Sequence, residues 1–189
     1  PVNVPSSEMY TGLERGTLDC ASNAANDLID RSLWEVAPYT TELPTGMYWT
    51  GPEWGFNAGF WADLTSAQRK QLMDATAYSM ANMAVNYIAR SEAALEEAKA
   101  KGNEVSQPSP ELMASVEEFR EKVLGEIYTI AEQKYGVANG ADLIDDFRFT
   151  YAKWEGLLEH ADRSNVDALA AIAAKEIYGD LDPASYGIK

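Results

Sequence analysis

Between Ser6 and Arg15 the apolar residues Met9 and Leu13 fall on one helix face, with Glu8 in the positively polarised first turn and Arg15 in the last. Ser6 or Ser7 is placed to cap this helix, and Gly16 to end it in a left-handed conformation. Thr17 to Ala21 then alternates apolar with polar or small residues, which is the period of a short strand. Ser22-Asn23 stands where a new helix needs an N-cap, and Leu28, Ile29, Leu33 and Trp34 give that helix an apolar face. With Val2-Asn3-Val4 as an earlier strand, the predicted order is strand, helix, strand, helix, the order that builds parallel sheets. Parallel sheets bind ligands at the carboxyl ends of their strands. Asn23 would stand at such an end and also at a helix N-terminus, where anions are favoured. Spacing alone leaves two roles open for it: a helix cap or a ligand contact.

The periodicity lapses from Glu35 to Leu64, where prolines, glycines and β-favouring residues predict short strands and loops, with Gly55–Trp61 as a strand. It returns at Thr65 or Ser66. Leu72, Thr76, Met80, Met83, Tyr87, Ala94, Leu95 and Ala98 then keep a helical stripe until Lys101-Gly102-Asn103 stops it. Roughly 35 residues at ~1.5 Å each make a helix of ~50 Å, longer than a small domain is wide. It either crosses two lobes or supports a partner. Met73, Met80 and Met83 are read as adaptable core filling, not as a metal site.

After an extended link at 104–109, Ser109 is an N-cap with Pro110 at the first helical position. The helix that follows carries Leu112, Val116, Phe119, Val123, Ile127 and Ile130 at helical steps. A further helix follows Gly140, with Leu143, Phe147, Tyr151, Trp154 and Leu158 in register. A last one opens at Asn165 and turns Val166, Leu169, Ala173 and Ile177 inward. The pattern is α/β grading into a helical layer.

Composition narrows the function classes. The chain has 189 residues, 46% of them apolar, enough for one good core or two small lobes. A formal net charge of −15 with no basic run excludes a protein that tracks nucleic-acid phosphates, and equally one that docks on anionic lipid. No apolar run approaches the ~18–20 residues of a membrane span. The opening Pro1-Val2-Asn3-Val4-Pro5 has no methionine and reads as an internal or processed start. The single cysteine, Cys20, excludes an internal disulfide. Catalytic patterns are sparse. His160 lies in the last turn of a predicted helix, where an imidazolium is favoured without further purpose, and no histidine is near Cys20 in sequence. Glycine-rich phosphate loops, zinc-ligand spacings and calcium loops are absent, and nothing calls for a cofactor or a metal. The conspicuous feature is aromatic: Tyr48, Trp49, Trp54, Phe56, Phe60 and Trp61 surround Glu53 and Asn57. Ligand sites are built this way, mostly apolar with a few placed polar groups, although an aromatic mini-core under the long helix fits the same residues.

These residues also carry a resemblance. The run "PVNVPSSEMYTGLERGTLDCASN" resembles the segment of substrate-binding proteins of tripartite ATP-independent periplasmic (TRAP) transporters that reads proline-valine, Ser-Glu-x-Tyr, Ala-Leu-Gln-x-Gly, then Val-Asp-Gly-x-x-Asn. "GFNAGFWADLTSAQRKQLMDA" resembles the family's asparagine strand, its Trp-x-x-Leu and the start of its long helix, and "FTYAKWEGLLE" and "KEIYGDLDPASYG" look like its closing helices. The resemblance implies a two-lobed binding protein of which this chain is the carboxy-terminal portion. The expected fold is the second lobe, a short mixed sheet followed by a lobe-crossing helix and C-terminal helices.

The implied divisions are 1–64 as a partial α/β ligand-binding lobe, 65–101 as the long helix and 102–189 as a helical region packing on the lobes. Asn23 matches the asparagine that in several members faces the ligand carboxylate, and Asn57 the asparagine of the following strand. The arginine that typically pairs with that carboxylate lies upstream in the family, and Arg15 matches a helix-end position instead. Cys20 stands where a glycine is common, and Ser22 where a glutamate often precedes the asparagine. The implied function is non-enzymatic: periplasmic capture of a small organic acid, typically a dicarboxylate, and its delivery to TRAP membrane subunits. Tyr48, Trp49, Glu53 and Trp54 join the two asparagines as candidate ligand contacts. Surface uncovered by an absent first lobe implies a homo-oligomer. From a different class, a helical scaffold module without a small-molecule ligand is the alternative.

Overall fold

The first helix ends where the sequence puts its glycine. In the computed structural model, which describes residues 2–46 and 54–188, a 3₁₀ turn at Ser6–Glu8 leads into α1, Met9–Glu14. The cap position is Pro5, so Ser6 and Ser7 lie inside the turn and cap nothing. Gly16 takes φ +66°, and the amides of Thr17 and Leu18 both return to the Gly12 carbonyl at 2.9 and 3.0 Å. The Leu18 side chain lies so close to Gly12 that a Cβ there would meet Leu18 Cδ1 at 2.6 Å. These paired returns close the C-terminal turn as a left-handed glycine allows.

The chain beyond departs from expectation. Val2–Val4 and Thr17–Ala21 form no strands; alternation over so few residues is equally satisfied by an extended loop with no ladder partner. The next helix, α2, is a single turn at Asp27–Asp30 with Asn26 at its cap position, so Asn23 does not cap it. The sheet is a parallel pair of β1, Tyr39–Thr41, with β2, Glu104–Ser106, in the register Tyr39–Glu104, Thr40–Val105 and Thr41–Ser106. It is therefore not mixed among the described residues, and its strands are joined by a long crossover, as parallel strands require.

The long helix matches its prediction closely. After the short α3, Ala58–Asp63, comes α4, Ser66–Ala100, 35 residues without glycine or proline. It opens on a reciprocal cap: the Gln68 amide donates to Thr65 Oγ1 at 3.2 Å, and the Thr65 amide to Gln68 Oε1 at 2.9 Å. Gly102, at φ +100°, follows its end. Helix α5, Pro110–Gln133, starts under the Ser109 cap, whose hydroxyl accepts the Leu112 amide at 3.2 Å. Helices α6, Gly140–Leu158, and α7, Val166–Tyr178, follow, the last capped by Asn165 through the Ala168 amide at 3.0 Å.

Contacts group the chain into two compact units, Pro1–Gly46 with Tyr87–Ile127, and Met47–Asn86 with Tyr128–Lys189. In the first, Leu28, Leu33 and Ala98 form the buried centre, ringed by Met9, Leu13, Trp34, Val36 and Leu95. Buried Asn103 donates its amide to the carbonyls of Trp34 and Ala37 at 2.9 and 3.0 Å, tying the end of α4 to the approach to β1. In the second, Trp61, Met73, Ala77, Ala170 and Ala173 are buried, the Thr76 and Tyr178 hydroxyls lie 3.0 Å apart, and Lys153 pairs with Glu176 at 2.8 Å between α6 and α7. The apolar face of α6 is only partly covered, since Leu143, Phe147 and Tyr151 are exposed.

Candidate functional site

The two asparagines singled out from sequence belong to different units and do different things. Asn23 is exposed on the loop between α1 and α2, and its Nδ2 donates to Met9 Sδ at 3.0 Å. A thioether is a weak acceptor, so this contact orients the amide without satisfying it strongly. The neighbouring Cys20 is exposed as well.

Asn57 is the cap of α3, Ala58–Asp63, where its Oδ1 accepts the amides of Gly59 at 2.9 Å and Phe60 at 3.2 Å. The predicted strand Gly55–Trp61 is thus a cap and a short helix. Aromatic residues favour strands in general, but Asn57 satisfies two orphan amides and starts a helical turn. Trp54 is half-buried, while Tyr48, Trp49 and Glu53 lie outside the described residues.

Around α3 the aromatics are in contact. Phe56 stacks on Phe60 and on Trp61 with ring centroids 6.3 and 5.2 Å apart, and Tyr186 meets Trp61 edge-on at 6.5 Å. Trp61 is buried, whereas Phe56, Phe60 and Tyr186 remain substantially exposed. Trp61 is thus a core residue, while the rings of Phe56 and Phe60 are partly exposed. The Trp61 indole donates to the Tyr186 carbonyl at 2.8 Å.

Beside them lies a residue that sequence reasoning missed. Arg69, in the first turn of α4, is 5% exposed, and its guanidinium faces main-chain carbonyls: Trp61 at 3.1 Å, Leu64 at 2.6 Å and Pro183 at 2.6 Å, with Ala184 at 3.5 Å. Its position carried a signal, because a cation in the first turn of a helix opposes the helix dipole and needs a separate reason to be there. Engaged by those carbonyls, Arg69 does not present its charge to an incoming carboxylate.

Two recesses among the described residues lie elsewhere. One of about 340 Å³ is lined by Glu155, Gly156, Glu159 and Arg163, and one of about 180 Å³ by residues including Asn26, Asp30, Arg90 and Glu97. Arg90 pairs with Asp30 there at 2.6 Å. His160 is exposed next to Glu159, at 3.9 Å. Among the described residues no cluster of histidine, cysteine and carboxylate side chains is arranged to hold a metal ion, and no helix is long and apolar enough to cross a membrane.

The family model for bacterial extracellular solute-binding proteins, family 7, matches residues 1–130. The chain belongs to this family. No curated protein and no solved structure matches it. Family 7 proteins are periplasmic solute-binding components of TRAP transport; they bind small solutes, work with TRAP membrane components and are not enzymes. The matched range contains both the Asn23 loop and the Asn57 cap with Phe56, Phe60 and Trp61, but not Tyr186.

Proposed function

We propose that this family 7 chain captures a small organic acid in the periplasm and takes part in delivering it to the TRAP membrane subunits. The observation that carries the reading is the state of Asn23, an exposed amide whose partner is a thioether. A ligand carboxylate is a far stronger acceptor than Met9 Sδ, and a hydrogen bond to a charged group contributes ~1.5–3 kcal/mol. In the second unit, considered by itself, the exposed faces of Phe56 and Phe60 with half-buried Trp54 form an apolar wall of the kind that lines ligand sites. Tyr48, Trp49 and Glu53 are proposed as further ligand contacts.

On this reading residues 1–64 belong to a ligand-binding lobe, 65–101 form the helix that serves both lobes, and 102–189 pack as a helical region. The exposed Leu143, Phe147 and Tyr151 of α6 support self-association as a homo-oligomer, for which sedimentation velocity is the test. The test of the binding reading is calorimetric titration of the full-length protein with succinate, malate, pyruvate and glucose, repeated on Asn23→Asp. The aspartate sets a negative charge against the anion, so binding is expected to collapse. Equal affinity in wild type and variant would overturn the role of Asn23, and heat from sugars alone would overturn the ligand class.

A further inference from the structure

The proposed wall needs something to hold it, because α3 is only six residues long and Phe56 precedes its cap. The chemistry that holds it converges on Arg69. Its Nη1 donates to the carbonyls of Trp61 and Leu64 at the C-terminal end of α3, and its Nε donates to Pro183 in the turn after α7. The charge is buried without a carboxylate within ion-pair distance among the described residues. It is compensated by carbonyl dipoles, including those at the negative end of α3.

That turn is itself tightly made. Asp182 accepts the Ala184 amide at 2.9 Å and the Ser185 hydroxyl at 3.0 Å, and its main-chain carbonyl accepts the Tyr186 amide at 2.8 Å. The fold-back delivers the Tyr186 carbonyl to the Trp61 indole at 2.8 Å. Gly187 follows at φ +71°, with Trp61 Nε1 only 3.0 Å from where a Cβ would sit. The two attachments, one through Arg69 and one through Trp61, join the same two segments.

We propose that Arg69 is a positioning residue. It clasps the turn Asp182–Ile188 to the end of α3, and the clasped turn fixes the Trp61 ring and, through their 5.2 Å stacking, Phe56. The functional meaning of this clasp rests on the aromatic wall proposed above; its existence does not. Lysine cannot replace the guanidinium, because one ammonium lacks the planar fork that reaches Leu64 and Pro183 from separate nitrogens.

The experiment is hydrogen exchange by NMR on the full, ¹⁵N-labelled chain, following the Trp61 indole N–H, assigned by its loss in Trp61→Phe. Arg69→Lys and Arg69→Gln are compared with wild type, and the backbone amides of α7 serve as the internal reference. In Arg69→Lys the indole is expected to exchange roughly tenfold faster or more, while α7 protection stays put. Indole exchange unchanged in Arg69→Lys would overturn the clasp. So would acceleration in step with the α7 amides, which would make Arg69 a general support of the unit. Should Arg69→Gln fail to fold, Arg69→Lys alone decides. Titrating the wild type with succinate is a separate measurement, so a failed ligand reading and a failed clasp leave different records.

Discussion

Replacing Asn57 separates a cap from a ligand contact, and the geometry supplies the size of the effect. Its Oδ1 satisfies two of the amides that open α3, at 2.9 and 3.2 Å. Asn57→Ala removes both bonds from an exposed position, where water partly replaces them, and loss of such a cap costs ~1 kcal/mol. In a domain of this size that is a fall of about 2–4 °C in melting temperature. Locally it is about fivefold faster exchange at the Gly59 and Phe60 amides, from ~1 kcal/mol against RT. Asn57→Asp keeps the acceptor and adds a negative charge at the positive end of the helix, so it is expected to melt with or slightly above the wild type. Thermal melts of both variants, with site-resolved exchange at Gly59 and Phe60, are the assay. If alanine leaves those amides as protected as before, or aspartate falls as far as alanine, the capping argument is wrong. If aspartate keeps stability but weakens succinate binding, Asn57 is a ligand contact as well as a cap.

Other substitutions have equally definite outcomes. Asn23→Ala is expected to leave the melting temperature within what ~0.5 kcal/mol allows, because the lost partner is an exposed thioether contact; a larger drop in chemical denaturation would reassign Asn23 to structure. Leu33→Ala, at a position 4% exposed in the first unit's core, is expected to cost ~2–5 kcal/mol by urea unfolding, and a loss below ~1 kcal/mol would mean that the core is elsewhere. The carboxyl of Asp182 is held below its ordinary value of 3.8, first by the Ala184 amide and then by the Ser185 hydroxyl, with Arg69 adding attraction. A depressed carboxylate pKa stabilises the fold above the ordinary value, and that contribution is lost as pH falls through the lowered one. The turn is therefore expected to stay closed at neutral pH and to loosen only below about pH 4, read as faster Trp61 indole exchange. The same onset in Asp182→Asn would show that another group is responsible.

The parts of the fold legible in the sequence were those decided by near neighbours. Thr65, Ser109 and Asn165 cap the helices assigned to them, since a cap needs only its own side chain and an amide two or three residues on. The long helix was legible because an uninterrupted helical period over so many residues has no strand interpretation. Thr17–Ala21 misled because a strand is defined by a partner, and the pairing that does form, Thr40 with Val105, joins positions far apart in sequence. Asn57 misled in the opposite way: β-favouring aromatics on both sides concealed an asparagine that starts a helix. On α6 the spacing of Leu143, Phe147 and Tyr151 identified an apolar face, but periodicity does not say what covers one, and these three are exposed. At the candidate site, Asn23 and Asn57 were visible as residue types, whereas the clasp at Arg69 was not, because it depends on carbonyls more than a hundred positions downstream.

The interleaving of the two units has a consequence for the order in which this chain can fold as it is synthesised. A nascent chain that has reached Gly46 contains Leu28 and Leu33 but not Ala98, so the first core has no centre to close on. β1 must likewise wait for β2, on the far side of a 35-residue helix that belongs partly to the other unit. The second unit waits longer still, because the carbonyls that tie Trp61 and Arg69 to the turn after α7 arrive only with residues 183–186. Helix turns can form early, since their bonds are local, but tertiary closure of each unit waits for its second segment. Between the emergence of Leu33 and that of Ala98 the first unit therefore exists as helix turns without a closed core, the state in which a chain can still be threaded through a narrow pore and is also most open to proteases.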